Sequence, residues 1–104
     1  MDEKPKHMEL TQAQISRLKG MAQRMDAILK VGKLGLSDPF LKSVREALEL
    51  RELIKVKFDD FKDQKKTLAP EMAAKTDSRL VTLIGNVAVL YRQNAIPEKR
   101  KIAL

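Results

Sequence analysis

Between Leu10 and Met25 apolar residues return every three or four positions, at Ile15, Leu18, Met21, Ala22 and Met25. That period puts them on one stripe of a helix. The start of the helix is written just upstream. Thr11 as N-cap and Gln14 at the third helical position form a capping box, and Leu10 and Ile15 sit where a hydrophobic staple clamps the entry. Ile28-Leu29-Lys30-Val31 is short, β-prone and ends at glycine, which predicts a strand. Asp38 as N-cap with Pro39 at the first helical position predicts a second helix, with Phe40, Leu41, Val44, Ala47 and Leu48 facing inward. From Leu53 to Phe58 the period changes to two. Ile54, Val56 and Phe58 point one way and Lys55 and Lys57 the other, a strand with one buried and one wet face. A third helix is expected over residues 61–75, kinked or broken at Pro70 with Thr67 as a new N-cap. Two β-rich runs, Leu80 to Ile84 and Val87 to Tyr91, flank Gly85-Asn86, a turn dipeptide for a tight hairpin.

The element order is therefore α-β-α-β-α-β-β. Strands alternating with helices place helices over one or both faces of a sheet, and the final hairpin makes that sheet mixed. The expected fold is an α/β two-layer sandwich with a four-stranded mixed sheet. The lysines of residues 53–58 argue for a partly open sheet face, and the nearly continuous apolar hairpin argues against it. Residues 1–8 read as a disordered N-terminal tail, 9–93 as the domain and 94–104 as a basic C-terminal tail.

Composition narrows the function. The 104 residues suffice for one domain, and with 4% aromatics its core is aliphatic. Lys and Arg number 21 against 14 Asp and Glu, a net charge of +7, and an excess of this size points to an anionic partner. There is no cysteine, hence no disulfide framework and no thiolate metal site, as fits a reducing cytosol. No signal peptide is visible, and no apolar run approaches the ~18 residues a membrane span needs. Catalysis lacks parts. His7 is the only histidine and lies in the expected tail, and turn formation and helix capping account for Asp59, Asp60 and Asp63. The expectation is a cytoplasmic monomer that is no enzyme and needs no cofactor or metal.

The candidate chemistry is in the loop Gly32-Lys33-Leu34-Gly35. Two glycines let the backbone turn tightly and let a ligand approach closely, and the loop opens into a helix N-terminus, where free N–H groups favour an anion. Lys33 adds a mobile positive charge. In the KH domain a GxxG loop clamps a nucleic-acid backbone. A purely conformational connector carries the same glycines, so the four residues alone leave both readings open. Further cations are Arg17, Lys19 and Arg24 on the first helix, Lys30 beside the loop, Lys42 and Arg45 on the second helix, and Lys55 and Lys57 on the sheet. These converge on one patch if the loop lies beside the first helix; otherwise they are solvated faces.

Leu10-Thr11-x-x-Gln14, Leu18-Lys19-Gly20-x-Ala22 and Val31-Gly32-Lys33-Leu34-Gly35-Leu36 together resemble the CRM domain family (chloroplast RNA splicing and ribosome maturation), especially its stand-alone bacterial YhbY-type members. Ala47-Leu48-Glu49-x-x-Glu52-Leu53-Ile54-Lys55-Val56-Lys57, Ile84-Gly85 and Val89-Leu90-Tyr91-Arg92 extend the resemblance from Leu10 to Arg92. It implies a fold similar to the C-terminal domain of bacterial translation initiation factor three. It also implies RNA contact through Gly32 to Gly35 beside a basic surface, and RNA partners among large-subunit ribosomal precursors. Leu34 stands where members often carry a polar residue, and Ser16 and Gln23 stand where charge could. The alternative class is a protein-interaction module whose charge serves an acidic protein partner.

Overall fold

The computed structural model describes residues 9–104, so the expected tail over residues 1–8 lies outside the described residues. Three helices, α1 (Gln12–Ala22), α2 (Asp38–Arg51) and α3 (Lys65–Lys75), surround four strands, β1 (Leu29–Val31), β2 (Leu53–Phe58), β3 (Arg79–Ile84) and β4 (Val87–Tyr91). The sheet order is β1-β2-β4-β3. β1 runs parallel to β2, and the other pairs are antiparallel. The mixed four-stranded sheet and the element order agree with the sequence.

One face of the sheet carries the larger core. Ile54, Val56 and Phe58 of β2 meet Leu41, Val44 and Leu48 of α2 and Ala69, Met72 and Ala73 of α3. The other face is covered only in part. There Ile15, Leu18 and Ala22 of α1 pack on Leu53, Val81, Val89 and Tyr91. Helices thus lie on both faces, and the single helix α1 forms a third, incomplete layer added to the expected two. Val81 lies at a register shift, since Leu80 pairs with Leu90 but Thr82 with Val89. Leu80 and Leu83 face the larger core, and the bulge leaves the neighbours Val81 and Thr82 both on the α1 side.

The helix starts show what local chemistry decides. At α1 the Gln14 amide N–H donates to Thr11 Oγ1 (3.1 Å) and the Thr11 N–H to Gln14 Oε1 (3.0 Å), the expected capping box. At α2 the cap is Ser37, one residue before the expected Asp38, and its hydroxyl accepts from the Phe40 N–H at 3.3 Å. Asp38 instead occupies the first turn, where a carboxylate suits the positive end of the helix dipole. The expected break in α3 is absent. The helix starts at Lys65 after a short 3₁₀ turn and runs through Pro70 without a restart at Thr67. The carbonyl that loses its partner belongs to Lys66, an exposed residue, so water can replace the missing N–H. At the hairpin Gly85 takes a φ of +57°, as the first position of a two-residue type II′ turn requires.

The C-terminal stretch is not a loose tail. Glu52 caps α2 at a φ of +66°, is fully buried and projects its carboxylate under the chain end. It accepts N–H bonds from Asn94 (2.6 Å), Lys101 (2.8 Å) and Ile102 (3.0 Å). Ile102 enters the α1-side core, and the Arg100 side chain donates back to the Asn94 carbonyl. Three charge-assisted bonds offset the ~1–3 kcal/mol that a left-handed non-glycine residue costs. This long-range anchor overrides the polar, basic composition that reads as a tail.

Candidate nucleic-acid interface

The Gly32–Gly35 loop is a tight turn, with the Gly35 N–H donating to the Gly32 carbonyl at 3.0 Å. Gly35 is buried, with a φ of +62°, and a Cβ there would stand 3.4 Å from the Phe61 ring. The backbone therefore favours glycine at this position, and a side chain there would be strained. Gly32 has open space around it, so a side chain could be added without a clash. Lys33 and Leu34 form the tip. Leu34 is 85% exposed, so it is no packing contact of the domain and is available to a ligand.

The register decides which lysines accompany this loop. Lys30 pairs with Lys57, Lys57 with Val87, and Val87 with Ile84. These four residues form one row across all four strands, on the face that carries α1 and at the sheet end where the Gly32–Gly35 loop departs. Three inter-strand spacings make the row about 14 Å wide. Neither Lys30 nor Lys57 has a hydrogen-bond or ion-pair partner among the described residues, and both side chains are exposed. Lys19 of α1 reaches the same region, where it lines a groove with Gln23, Lys55, Thr82, Ile84 and Val87.

Other predicted cations are separated or already engaged. The Lys55 ammonium donates to the carbonyls of Ala22 (3.0 Å) and Met25 (2.9 Å), tying the C-terminal end of α1 to β2. A cation there also complements the helix dipole. Arg45 donates to the Lys75 carbonyl at 3.1 Å and so links α2 to α3, on the opposite side of the sheet from Lys57. Lys42 lies on that same far side, on a helix whose Asp38, Glu46 and Glu49 balance Lys42, Arg45 and Arg51. Arg17 stands on the exposed side of α1; Arg24, expected on the same helix, lies in the turn after it because α1 ends at Ala22, and the two line one shallow groove with Gly20, Met21 and Gln23. The sheet and α1 thus bring Lys19, Lys30 and Lys57 to one face beside the loop, while Arg17 and Arg24 line a groove of their own and Lys42 and Arg45 lie on the other face.

The loop's other flank is acidic. The Asp59 and Asp60 N–H groups hold the Val31 carbonyl at 3.1 and 3.0 Å, where the loop leaves β1, and Asp59, Asp60 and Asp63 line a shallow groove there together with Lys62. Among the described residues no group of three or more His, Cys, Asp or Glu is placed to hold a metal ion, and no helix is long and apolar enough to cross a membrane. The apolar members of the row, Ile84 and Val87, are not among the predicted contacts. Their signal in the sequence is the almost unbroken apolar hairpin, too apolar for a strand pair with one wet face.

The model of the CRS1/YhbY (CRM) domain matches residues 10–92. The chain belongs to this family. The CRM domain is 38% identical over 96 residues to the Bacillus subtilis protein named "Probable RNA-binding protein YqeI", covering 91% of this chain and 98% of that one. It is 37% identical over 93 residues to "Probable RNA-binding protein PA4753" of Pseudomonas aeruginosa, covering 88% and 89%. The solution structure of SAV1595 from Staphylococcus aureus superposes with a TM-score of 0.73 at 35% identity, covering 91% of the CRM domain and all of that chain.

Proposed function

We propose that this CRM domain is a non-catalytic RNA-binding accessory protein. Its target is ribosomal RNA during assembly of the large subunit, and it acts as a monomer in the cytoplasm. The observation that carries the reading is the unpaired Lys30–Lys57 pair beside the Gly32–Gly35 turn, in a chain whose relatives are named for RNA binding. Phosphates meet Lys30, Lys33 and Lys57, and the open backbone at Gly32 permits close approach. Arg17 and Lys19 of α1 and Arg24 in the turn after it widen the cationic surface. The test is crosslinking in cells followed by sequencing of the bound RNA, with competition by acidic peptide as a control in vitro. Enrichment of large-subunit precursor sequences is expected. Displacement of the RNA by acidic peptide would favour a protein partner instead, and enrichment of other RNA classes would remove the ribosomal assignment.

A further inference from the structure

The row across the sheet changes character halfway. Lys30 and Lys57 are cationic, while Val87 and Ile84 are apolar, and Ile84 is 62% exposed. Beneath the apolar half lies a groove of about 360 Å³ between the end of α1 and the hairpin. That is near the small end of ligand sites, roughly 300–1,000 Å³, which suits a nucleobase better than a partner helix about 10 Å across. No carboxylate lines it, whereas Lys19 does. Two polar groups stand at its walls with no hydrogen-bond partner among the described residues, the Gln23 amide and the Thr82 hydroxyl. Apolar floor, free amide, free hydroxyl and flanking ammonium groups are the parts needed to seat a base by its face and edge while its phosphate stays on lysine.

From this juxtaposition we infer that the groove between α1 and the β3–β4 hairpin takes an unpaired nucleotide of single-stranded RNA, its base on Ile84 and Val87 and its phosphates on Lys57 and Lys30. The inference rests on the RNA-binding reading and adds to it a site distinct from the Gly32–Gly35 turn. It assigns the domain a preference for structured RNA that carries an unpaired stretch. No aromatic ring lines the groove, so the base is held by aliphatic contact and edge hydrogen bonds, a weaker seat than a stacking platform.

The experiment compares one RNA hairpin, blunt-ended, with the same hairpin carrying a short unpaired 3′ extension. The extension is expected to tighten binding about tenfold, the equivalent of one well-buried apolar contact. Ile84→Ser should remove that gain and leave the blunt hairpin's affinity at the wild-type value. Thr82→Val, which keeps the shape of the strand, should remove a smaller part of it and decides the matter if Ile84→Ser does not fold. A 4-thiouridine in the extension should crosslink to the peptide containing Thr82, Ile84 and Val87. Equal affinity of the wild-type protein for both RNAs, an unchanged gain in both variants, or crosslinks only at Gly32–Gly35 would overturn the groove and leave RNA binding standing. Failure of either RNA to bind the wild-type protein would overturn the RNA-binding reading and the groove with it.

Discussion

The two ends of β2 use charge in opposite ways. At its start Glu52 is fully buried, and its carboxylate accepts N–H bonds from Asn94, Lys101 and Ile102. At its other end Lys57 is exposed, has no partner among the described residues and lies between Lys30 and Val87. One end spends a charge to close the fold, and the other leaves a charge unspent. The same division separates Arg45 and Lys55, whose donors hold backbone carbonyls, from Lys30 and Lys33, whose donors have no partner among the described residues. A cation's net charge does not tell these roles apart; its hydrogen-bond partners do.

The largest expected effect lies at the closed end. Glu52→Ala leaves three backbone donors without their acceptor and releases residues 94–102. A loss of about 3–5 kcal/mol in urea unfolding is expected, in the range for breaking a buried charge-assisted network. A loss below about 1 kcal/mol would mean that water replaces the carboxylate there.

How much of this was legible in the sequence follows from the range of each interaction. The capping box at Thr11, the alternation of β2 and the Gly85-Asn86 turn are local and stand in the structure as read. Ser37 and Asp38 are both competent caps one residue apart, and local signals did not choose between them. Lys55 and Lys57 share a strand face and a pattern; only the docking of α1 onto β2 makes one a cap and leaves the other open. Arg45 reads in the sequence as one more candidate cation for RNA, and its bond to a carbonyl 30 residues away carries no local signal. Ile102 is one of several apolar residues in the basic C-terminal stretch, and nothing local marks it as the buried one, since its N–H acceptor lies 50 residues back in the chain. The Gly32–Gly35 loop was legible as a motif, but its lysine partners depended on the sheet register.

A smaller effect tests how the closed end tolerates polar atoms. Tyr91 is fully buried beside this network, and its hydroxyl has no hydrogen-bond partner among the described residues. Burial and the nearby Glu52 carboxylate push its pKa up from 10.0 to about 12, against an opposing pull from Arg100. The folded state holds the proton more tightly than the unfolded chain. The associated stability is therefore complete below about pH 10 and lost as the pH rises towards 12. Tyr91→Phe should keep or raise stability at neutral pH by up to about 1 kcal/mol, because it removes an unsatisfied buried hydroxyl. It should also flatten this part of the alkaline loss. Urea midpoints of both proteins at neutral and alkaline pH give the comparison, and parallel losses would show that Tyr91 does not titrate in this way.

The contrast between spent and unspent cations is tested most directly by the salt dependence of RNA affinity for the wild-type protein, Lys57→Ala and Arg45→Ala against one structured RNA. Each phosphate contact contributes a slope of about −0.7 to −0.9 in log affinity against log salt, depending on the strand. Lys57→Ala should reduce the slope by a little under one unit, the share of one contact, and leave stability within about 0.5 kcal/mol of wild type. Arg45→Ala should leave the slope as it is and lower stability by about 1 kcal/mol, the value of its bond to Lys75. Equal small reductions of slope in both variants would mean diffuse attraction by net charge and would contradict a defined site at the open end of β2.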